Sequence, residues 1–210
     1  MKYILSIDQG TTSSRSILFD HEGNICSVAQ KEFTQIFPKP GWVEHSPQEI
    51  WSSQASTIAQ VITNVGAESK DIVAIGITNQ RETTVVWEKA TGRPVYNAIV
   101  WQDRRTADTC LRLKEQYGGE IQSICGLVPD SYHSAAKLQW MLDNVEGARE
   151  RAERGELLAG TLNTWLFCMF SGRESFETDV SSAACMMLLD MRTLDWSDRL
   201  LELTNLPKSM

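Results

Sequence analysis

Four short stretches of this sequence carry residue types that can do chemistry. The first is Asp8-Gln9-Gly10-Thr11-Thr12-Ser13. A bound phosphate needs backbone N–H groups at close range, hydroxyl donors and a carboxylate for the magnesium ion that neutralises it, and this stretch offers all three. The same residues also make an ordinary polar hairpin turn in which Asp8 bonds to nearby backbone. The second stretch is Asn79-Gln80-Arg81-Glu82, four polar residues between an apolar run ending at Thr78 and another beginning at Thr83. Ligands bind at strand ends of α/β sheets, and Arg81 beside Glu82 supplies donors and acceptors together, as a polyol requires. The alternative is a surface ion pair worth ~0–1 kcal/mol. In the third, Trp101-Gln102-Asp103-Arg104-Arg105, an indole precedes a run of charge. It can cover the C–H face of a small polyol or serve as a core tryptophan at a sheet edge. The fourth, Pro129-Asp130-Ser131-Tyr132-His133-Ser134, is a loop leading into a helix. Asp130 or Ser131 can cap that helix, and Tyr132 either places a hydroxyl in a cleft or packs.

The elements that position these groups follow from pattern. Strands over residues 3–7 and 15–19 flank the Asp8 turn, and a third over 25–33 completes a meander. Pro38, Pro40 and Gly41 hold an extended connection. Ser46-Pro47-Gln48-Glu49 reads as a capping box with proline at the first helical position. The helix it opens places Ile50, Trp51, Ala55, Ile58, Ile62 and Val65 on one face at 3.6-residue spacing, and packs that face on the sheet. Residues 72–78 read as a strand buried on both faces. Further strands are expected over 83–87 and 98–101. Helices follow: one from Thr106 ended by Gly118-Gly119, one marked by Leu138, Met141 and Leu142, an exposed one over 145–154 and a buried one over 161–170. Residues 195–203 form a last amphipathic segment. Such a mixture of meander, helix and further strands indicates a mixed α/β sheet in one larger domain.

Composition narrows the function classes. Of 210 residues 42% are hydrophobic and 22% charged, which fits a folded soluble protein and excludes disorder and low-complexity scaffolds. Twenty Lys and Arg against 27 Asp and Glu give a net charge of −7, so no broad basic face serves nucleic acid or anionic lipid. A local basic cluster can still hold a small phosphorylated ligand. Residues 1–8 carry too few apolar side chains for a signal peptide, and no stretch nears the ~18 apolar residues of a membrane span. The five cysteines form no C-x-x-C pair and read as reduced thiols of a cytoplasmic protein. His21, His45 and His133 lie far apart, without metal-ligand spacing, and each is expected to have a surface or packing role.

Together these pieces resemble the amino-terminal domain of the glycerol-phosphorylating members of the FGGY family of carbohydrate kinases. The resemblance rests on Asp8-Gln9-Gly10-Thr11-Thr12-Ser13-Ser14-Arg15, Pro38-Lys39-Pro40-Gly41-Trp42-Val43-Glu44-His45, Gly76-Ile77-Thr78-Asn79-Gln80-Arg81-Glu82-Thr83-Thr84 and Tyr96-Asn97-Ala98-Ile99-Val100-Trp101-Gln102. It resumes at Gly155-Glu156-Leu157-Leu158 and reaches Leu194-Asp195-Trp196, so it covers essentially the whole chain. Four places depart from the family pattern: His133 for a usual phenylalanine, Ala136 for a hydroxyl residue, Asn163 for an aspartate, and Ser181-Ser182-Ala183-Ala184-Cys185-Met186 for a Thr-Asn-Ala-Ser-Arg-Thr stretch.

The resemblance implies an α/β fold of the ribonuclease H-like (actin-like ATPase) kind, a mixed sheet flanked by helices. It implies that Thr11, Thr12, Ser13 and Arg15 touch the phosphates of ATP, that Asp8 helps hold Mg2+, and that Arg81, Glu82 and Tyr132 hydrogen-bond glycerol, with Thr11 also binding substrate and Trp101 lining its hydrocarbon side. The reaction implied is in-line transfer of the γ-phosphoryl group to a terminal hydroxyl. In the family the general base and the adenine site lie in a second domain that no segment here supplies. Residues 1–210 are therefore expected to be the substrate-binding domain, with little turnover alone and with apolar surface exposed where a second domain packs. Family members often form homo-oligomers. Alternative readings are a kinase for another small polyol or a ketose, and a non-catalytic binding or assembly module. The kinase reading requires the hydroxyl-rich bend to face Arg81 and Glu82 across one groove.

Overall fold

Alternating burial along the first strands sets the first sheet. β1 (Tyr3–Gln9) turns Tyr3, Leu5, Ile7 and Gln9 inward and leaves Ile4, Ser6 and Asp8 on the other face. β2 (Ser13–Phe19) pairs with it antiparallel, with Asp8 opposite Arg15, and β3 (Ile25–Glu32) completes the expected meander. After β4 (Glu44–His45) come α1 (Pro47–Asn64) and β5 (Ile72–Asn79), which runs parallel to β1 and gives the sheet order β3-β2-β1-β5. The computed structural model describes residues 1–210. By contacts the chain divides into two units, Met1–Gln35 with His45–Gln80, and Ile36–Glu44 with Arg81–Met210.

In the first unit, α1 starts at Ser46, whose Oγ accepts the Glu49 N–H at 3.3 Å. Only this half of the expected capping box forms, because the Glu49 carboxylate accepts from the N–H and Oγ of Thr34, each at 3.0 Å. The face that α1 buries also differs from expectation. Ile50, Ser53, Gln54, Thr57 and Val61 are buried, while Ala55 is exposed and Trp51, Ile58, Ile62 and Val65 are half-buried. The reason lies in β2, which presents hydroxyls to the helix. Ser14 Oγ meets Ser53 Oγ at 2.7 Å, Ser16 Oγ meets Thr57 Oγ1 at 2.8 Å, and Gln54 Nε2 donates to Ser16 Oγ at 2.8 Å. A polar seam satisfied in this way is tolerated in a core, and it fixes register more narrowly than aliphatic contacts do. β5 is not buried on both faces as its apolar run suggested: Val73 and Ile75 are 59% and 54% exposed. It is an edge strand of this sheet.

The second unit is built on the strand order β4-β7-β6-β8, with β6 (Thr84–Glu88) antiparallel to both β7 (Ala98–Ile99) and β8 (Leu157–Thr161). Val86, Ile99, Leu113, Ile121, Leu138, Met141, Leu157 and Leu200 form its core with residues from α2 (Ala107–Cys125), α3 (Ser134–Asn144) and α4 (Ala148–Glu153). α2 runs through Gly118-Gly119 and ends at Gly126, which takes the left-handed conformation with φ 76°. A glycine inside a helix costs about 1 kcal/mol, which the packing of Leu113, Ile121 and Cys125 outweighs. α5 (Leu162–Phe170) lies within the expected buried helix, and α6 (Val180–Cys185) is capped by Asp179, which accepts the Ser182 N–H at 3.0 Å. The last amphipathic segment divides into β10 (Asp195–Trp196), paired with β9 (Leu189–Asp190), and α7 (Asp198–Leu203).

Candidate functional site

The hydroxyl-rich bend of the first unit is fixed by its own backbone. Gly10 N–H donates to Ser13 O at 3.0 Å, and a Cβ at Gly10 would stand 3.2 Å from that oxygen, so any larger residue would push the bend open by a few tenths of an ångström. Neighbouring chain pins it from outside: Phe33 N–H donates to Thr12 O, Gln35 Nε2 to Thr11 O at 3.1 Å, and Gln30 Nε2 to Ser13 Oγ at 2.8 Å. Thr12 is exposed, and Thr11 and Ser13 are half-buried. Asp8 and Arg15 form an ion pair on the open face of the hairpin, with Arg15 Nε donating to Asp8 Oδ2 at 3.0 Å.

Behind the bend lies a histidine that residue type alone did not mark. His45 is fully buried, its Nε2 2.8 Å from Gln35 Oε1 and its Nδ1 3.2 Å from Gln80 Nε2. An amide oxygen only accepts and an amide nitrogen only donates, so Nε2 carries the proton and Nδ1 accepts. Burial holds the imidazole neutral and pushes its pKa down to about 4, against a smaller opposing pull from Glu49. The chain of bonds runs from Thr11 O through Gln35 and His45 to Gln80, the residue before Arg81.

In the second unit, Arg81 and Glu82 lead into β6. Arg81 is exposed; Glu82 is 1% exposed and holds the left-handed conformation with φ 68°, which a residue with a Cβ adopts at a strain of about 1–2 kcal/mol. Its Oε1 lies 3.3 Å from His133 Nδ1 and its Oε2 3.3 Å from Ser134 Oγ. Trp101 and Tyr132 stand edge to face with centroids 5.9 Å apart, and Tyr132 meets the His133 ring at 5.5 Å. Burial raises the Tyr132 phenol, the Glu82 charge adds to that, and Arg81 opposes it. Burial likewise raises the Cys185 thiol, again with Glu82 adding and Arg81 opposing. Arg81, Glu82, Trp101 and Tyr132 thus share one corner with His133, Ser134 and Cys185.

One group that supports this corner, Lys137, carried no signal in residue type. Neither Asp130 nor Ser131 caps α3. Asp130 Oδ1 accepts the Tyr132 N–H at 2.8 Å, and Arg104 donates to Ser131 Oγ at 2.9 Å. The loop is clamped instead by Lys137 of α3, fully buried, whose Nζ donates to Tyr132 O at 2.5 Å and His133 O at 3.1 Å. Burial pushes its pKa down to about 8, against the attraction of Glu82 and Asp103. The charged run after Trp101 divides by role. The Arg105 side chain is fully buried, donating to Glu44 Oε1 at 2.7 Å and to Asp103 Oδ2 at 2.8 Å, with its guanidinium 3.8 Å from the Trp42 ring centre. That cluster is structural, tying the loop over 36–44 to the start of α2.

The donors around the bend and the single carboxylate of Asp8 suit a magnesium ion carried in by a nucleotide, which keeps several waters and takes one or two carboxylates beside the phosphates. No group of three or more His, Cys, Asp or Glu side chains is placed to cage a resident ion. No helix is long and apolar enough to cross a membrane.

Strand order, hairpin and flanking helices define an α/β protein of the ribonuclease H-like, actin-like ATPase class. The chain belongs to the FGGY family of carbohydrate kinases, whose N-terminal domain matches residues 3–210. It is 58% identical over 210 residues to a glycerol kinase of Burkholderia pseudomallei, covering 100% of this chain and 42% of that protein. Against a glycerol kinase of Fusobacterium nucleatum it is 57% identical over 212 residues, covering 100% of this chain and 43% of that protein. The crystal structure of Plasmodium falciparum glycerol kinase with ADP superposes with a TM-score of 0.91 at 34% identity, covering 98% of this chain and 41% of that one. A ligand-bound xylulose kinase from Lactobacillus acidophilus shares the fold, with a TM-score of 0.88 at 21% identity over 100% of this chain and 41% of that one. The chain therefore spans about two fifths of the length of the curated relatives it matches.

Proposed function

We propose that this chain is the substrate-binding part of an ATP-dependent glycerol kinase. The observation that carries the reading is the Glu82 carboxylate, buried yet met only by His133 and Ser134 at 3.3 Å and by the weakly donating Cys185 thiol. An ionised carboxylate has about four acceptor positions, and burying one with so few strong donors is costly unless a ligand supplies the rest. Two hydroxyls of glycerol are such donors. Arg81 offers the complementary N–H groups, Tyr132 a phenol, and the Trp101 indole a cover for the C–H face. Relatives 56–58% identical that are named glycerol kinase support the choice of polyol. The ADP of the Plasmodium relative's crystal structure supports the nucleotide.

In this reading Thr11, Thr12, Ser13 and Arg15 receive the phosphates of ATP. Asp8 would hold the accompanying Mg2+, which would supply charge neutralisation on the transferred group, and Arg15, paired with Asp8, is the cation available to the phosphates. The polyol corner holds one terminal hydroxyl as the acceptor of the γ-phosphoryl group. The catalytic contribution is positioning and charge neutralisation, as is general for phosphoryl transfer. The base that takes the hydroxyl proton, and the adenine site, belong to the part of the kinase that this chain does not match. Residues 1–210 alone should accordingly turn over little.

The test places Glu82→Ala and Arg81→Ala in a full-length kinase that contains this chain. Loss of hydrogen bonds to a charged group removes about 1.5–3 kcal/mol, so kcat/KM for glycerol should fall about 10- to 100-fold in each variant. Wild-type turnover in both would refute the site. A panel of polyols and ketoses in an ADP-release assay checks the substrate, and turnover of a ketose without turnover of glycerol would overturn that choice.

A further inference from the structure

We infer that the free edge of β8, in the second unit, is a docking site for an extended segment of polypeptide, supplied by the residues that follow position 210 in a full-length kinase. β8 ends the strand order β4-β7-β6-β8, with β6 on one side and no strand on the other. Its pairing with β6 shows which backbone groups are spare. Lys89 N–H donates to Glu156 O at 2.9 Å and Leu162 N–H to Thr83 O at 3.0 Å, so the bonded pairs between them are Val85 with Gly160 and Trp87 with Leu158. Residues between bonded pairs of an antiparallel ladder turn their N–H and C=O away from the partner strand. Ala159 therefore presents both groups at the open edge, and Thr161 its N–H. No charge or proline stands in Leu157-Leu158-Ala159-Gly160-Thr161, although these are the usual protection of an edge that stays bare.

Hollows lie on both sides of this edge. On one face of the sheet Leu138 of α3 shares the core with Leu157 and Ala159; on the other, Thr164 of α5 lies against Gly160. Leu138, Leu188, Leu201 and Met210 line a hollow of about 70 Å3 on the α3 side. Gly160, Thr164, Phe176 and Trp196 line one of about 330 Å3 on the α5 side. Ala159 and Met210 border both. Thr164 is 5% exposed and its Oγ1 has no hydrogen-bond partner, so the larger hollow holds a buried hydroxyl that an occupant can satisfy. A strand added at β8 sends successive side chains to opposite faces, one into each hollow. The last residues already run toward this place. Ser209 Oγ donates to Ala152 O at 2.6 Å, Ser209 lies beside Gly155, and Met210 reaches Ala159, so the backbone travels in the same direction as β8. This chain covers 42% of a glycerol kinase to which it is 58% identical, which supplies ample polypeptide for a parallel strand along Ala159 and Thr161. Thr161 stands opposite Thr84 on β6, the strand that follows Glu82, so the added strand ties the outgoing polypeptide to the sheet that carries the polyol corner.

The experiment uses a full-length kinase that contains this chain, with Phe176→p-benzoylphenylalanine as a photo-cross-linking probe on the larger hollow. Phe176 is 46% exposed and lies outside the polyol corner. After irradiation and digestion, mass spectrometry should place the link within about ten residues after position 210, since a strand advances about 3.3 Å per residue. Ala159→Pro removes only the outward N–H, which an edge strand tolerates, and should cut the yield of that link about fivefold or more; Ala159→Gly keeps the N–H and should leave the yield within about twofold. In the kinase without substitutions, the Ala159 amide should exchange with deuterium about a hundredfold more slowly than an unstructured amide, a measurement that decides the pairing even where Ala159→Pro does not fold. A link to a second copy of the chain, a link to a more distant segment, or no link at all overturns the inference. So does an Ala159 amide that exchanges as fast as those of open loops. None of these readouts involves substrate, so failure to phosphorylate glycerol overturns the proposed substrate and leaves the docking site standing.

Discussion

Acidification should destabilise this protein through His45. The imidazole is buried and neutral, with a pKa of about 4 against 6.5 for an exposed ring. Because the folded value is depressed, the unfolded chain binds the extra proton first. The stability that neutral His45 confers is fully present above the unfolded value and is lost as pH falls toward the folded one. The full difference, about 2.5 pKa units, is worth about 3 kcal/mol. Between about pH 7 and pH 5 the two titration curves separate by about 2 kcal/mol, which lowers the melting temperature of a domain of this size by about 4–8 °C. The comparison is His45→Gln, whose Nε2 can still donate to Gln35 Oε1 but cannot take a proton. Melting of both proteins is followed by circular dichroism across the pH range. His45→Gln should start lower, because its amide does not reproduce the ring contact with Phe33 at 5.0 Å, and should lose much less on acidification. If both proteins lose the same number of degrees between the two pH values, the stability loss belongs to other groups and the argument for His45 fails.

Two further substitutions separate support from binding. Lys137→Met removes an ammonium whose pKa of about 8 lies far below the usual lysine value; holding that charge in the interior costs about 3 kcal/mol, a penalty relieved as pH rises from 8 toward 10.5. It also strands two carbonyls worth about 1–3 kcal/mol each, so the variant should melt within a few degrees of wild type while glycerol KM in the full-length kinase rises about tenfold. A large stability loss with unchanged KM would show that the clamp on Tyr132 has no bearing on substrate. Arg105→Ala should do the opposite, destabilising the chain by about 3–5 kcal/mol in urea titration because Glu44 and Asp103 are left buried without their cation. A loss below about 1 kcal/mol would mean that the carboxylates find water or protonate at little expense.

Much of the first unit was legible because its signals are local. Alternation fixed the meander, Ser46 and Pro47 fixed the start of α1, and Gly10 fixed the tight bend. The failures have one cause, which is that partners distant in sequence decided the outcome. Trp51, Ala55, Ile58 and Ile62 outline a plausible apolar face, but the hydroxyls of Ser14 and Ser16 select Ser53, Gln54 and Thr57. β5 has the composition of a doubly buried strand and stands exposed at the edge of the sheet among these 210 residues. Within the candidate site, Arg81, Glu82, Trp101 and Tyr132 were marked by polar or aromatic residues at strand ends and loops. His45 and Lys137 were not, since a histidine and a lysine read from sequence as solvent-facing until their acceptors are known.

The contrast between Glu44 and Glu82 shows how a buried charge reveals its purpose. Both carboxylates are almost fully buried, at 2% and 1% exposure. Glu44 receives the Tyr96 hydroxyl at 2.7 Å, the Asn97 amide at 2.9 Å and the Arg105 guanidinium at 2.7 Å, all at ordinary or short hydrogen-bond length. It has little capacity left, and a ligand could gain from it only by displacing a structural bond. Glu82 has a neutral hydroxyl and an imidazole, both at 3.3 Å, and the weak donor of the Cys185 thiol, and sits on a strained left-handed backbone. Strain and underfilled acceptors both oppose folding, so neither persists for the sake of stability. A buried carboxylate held in this way gains its missing hydrogen bonds when a polyol arrives, and that gain is the binding energy with which the corner can orient a hydroxyl for transfer.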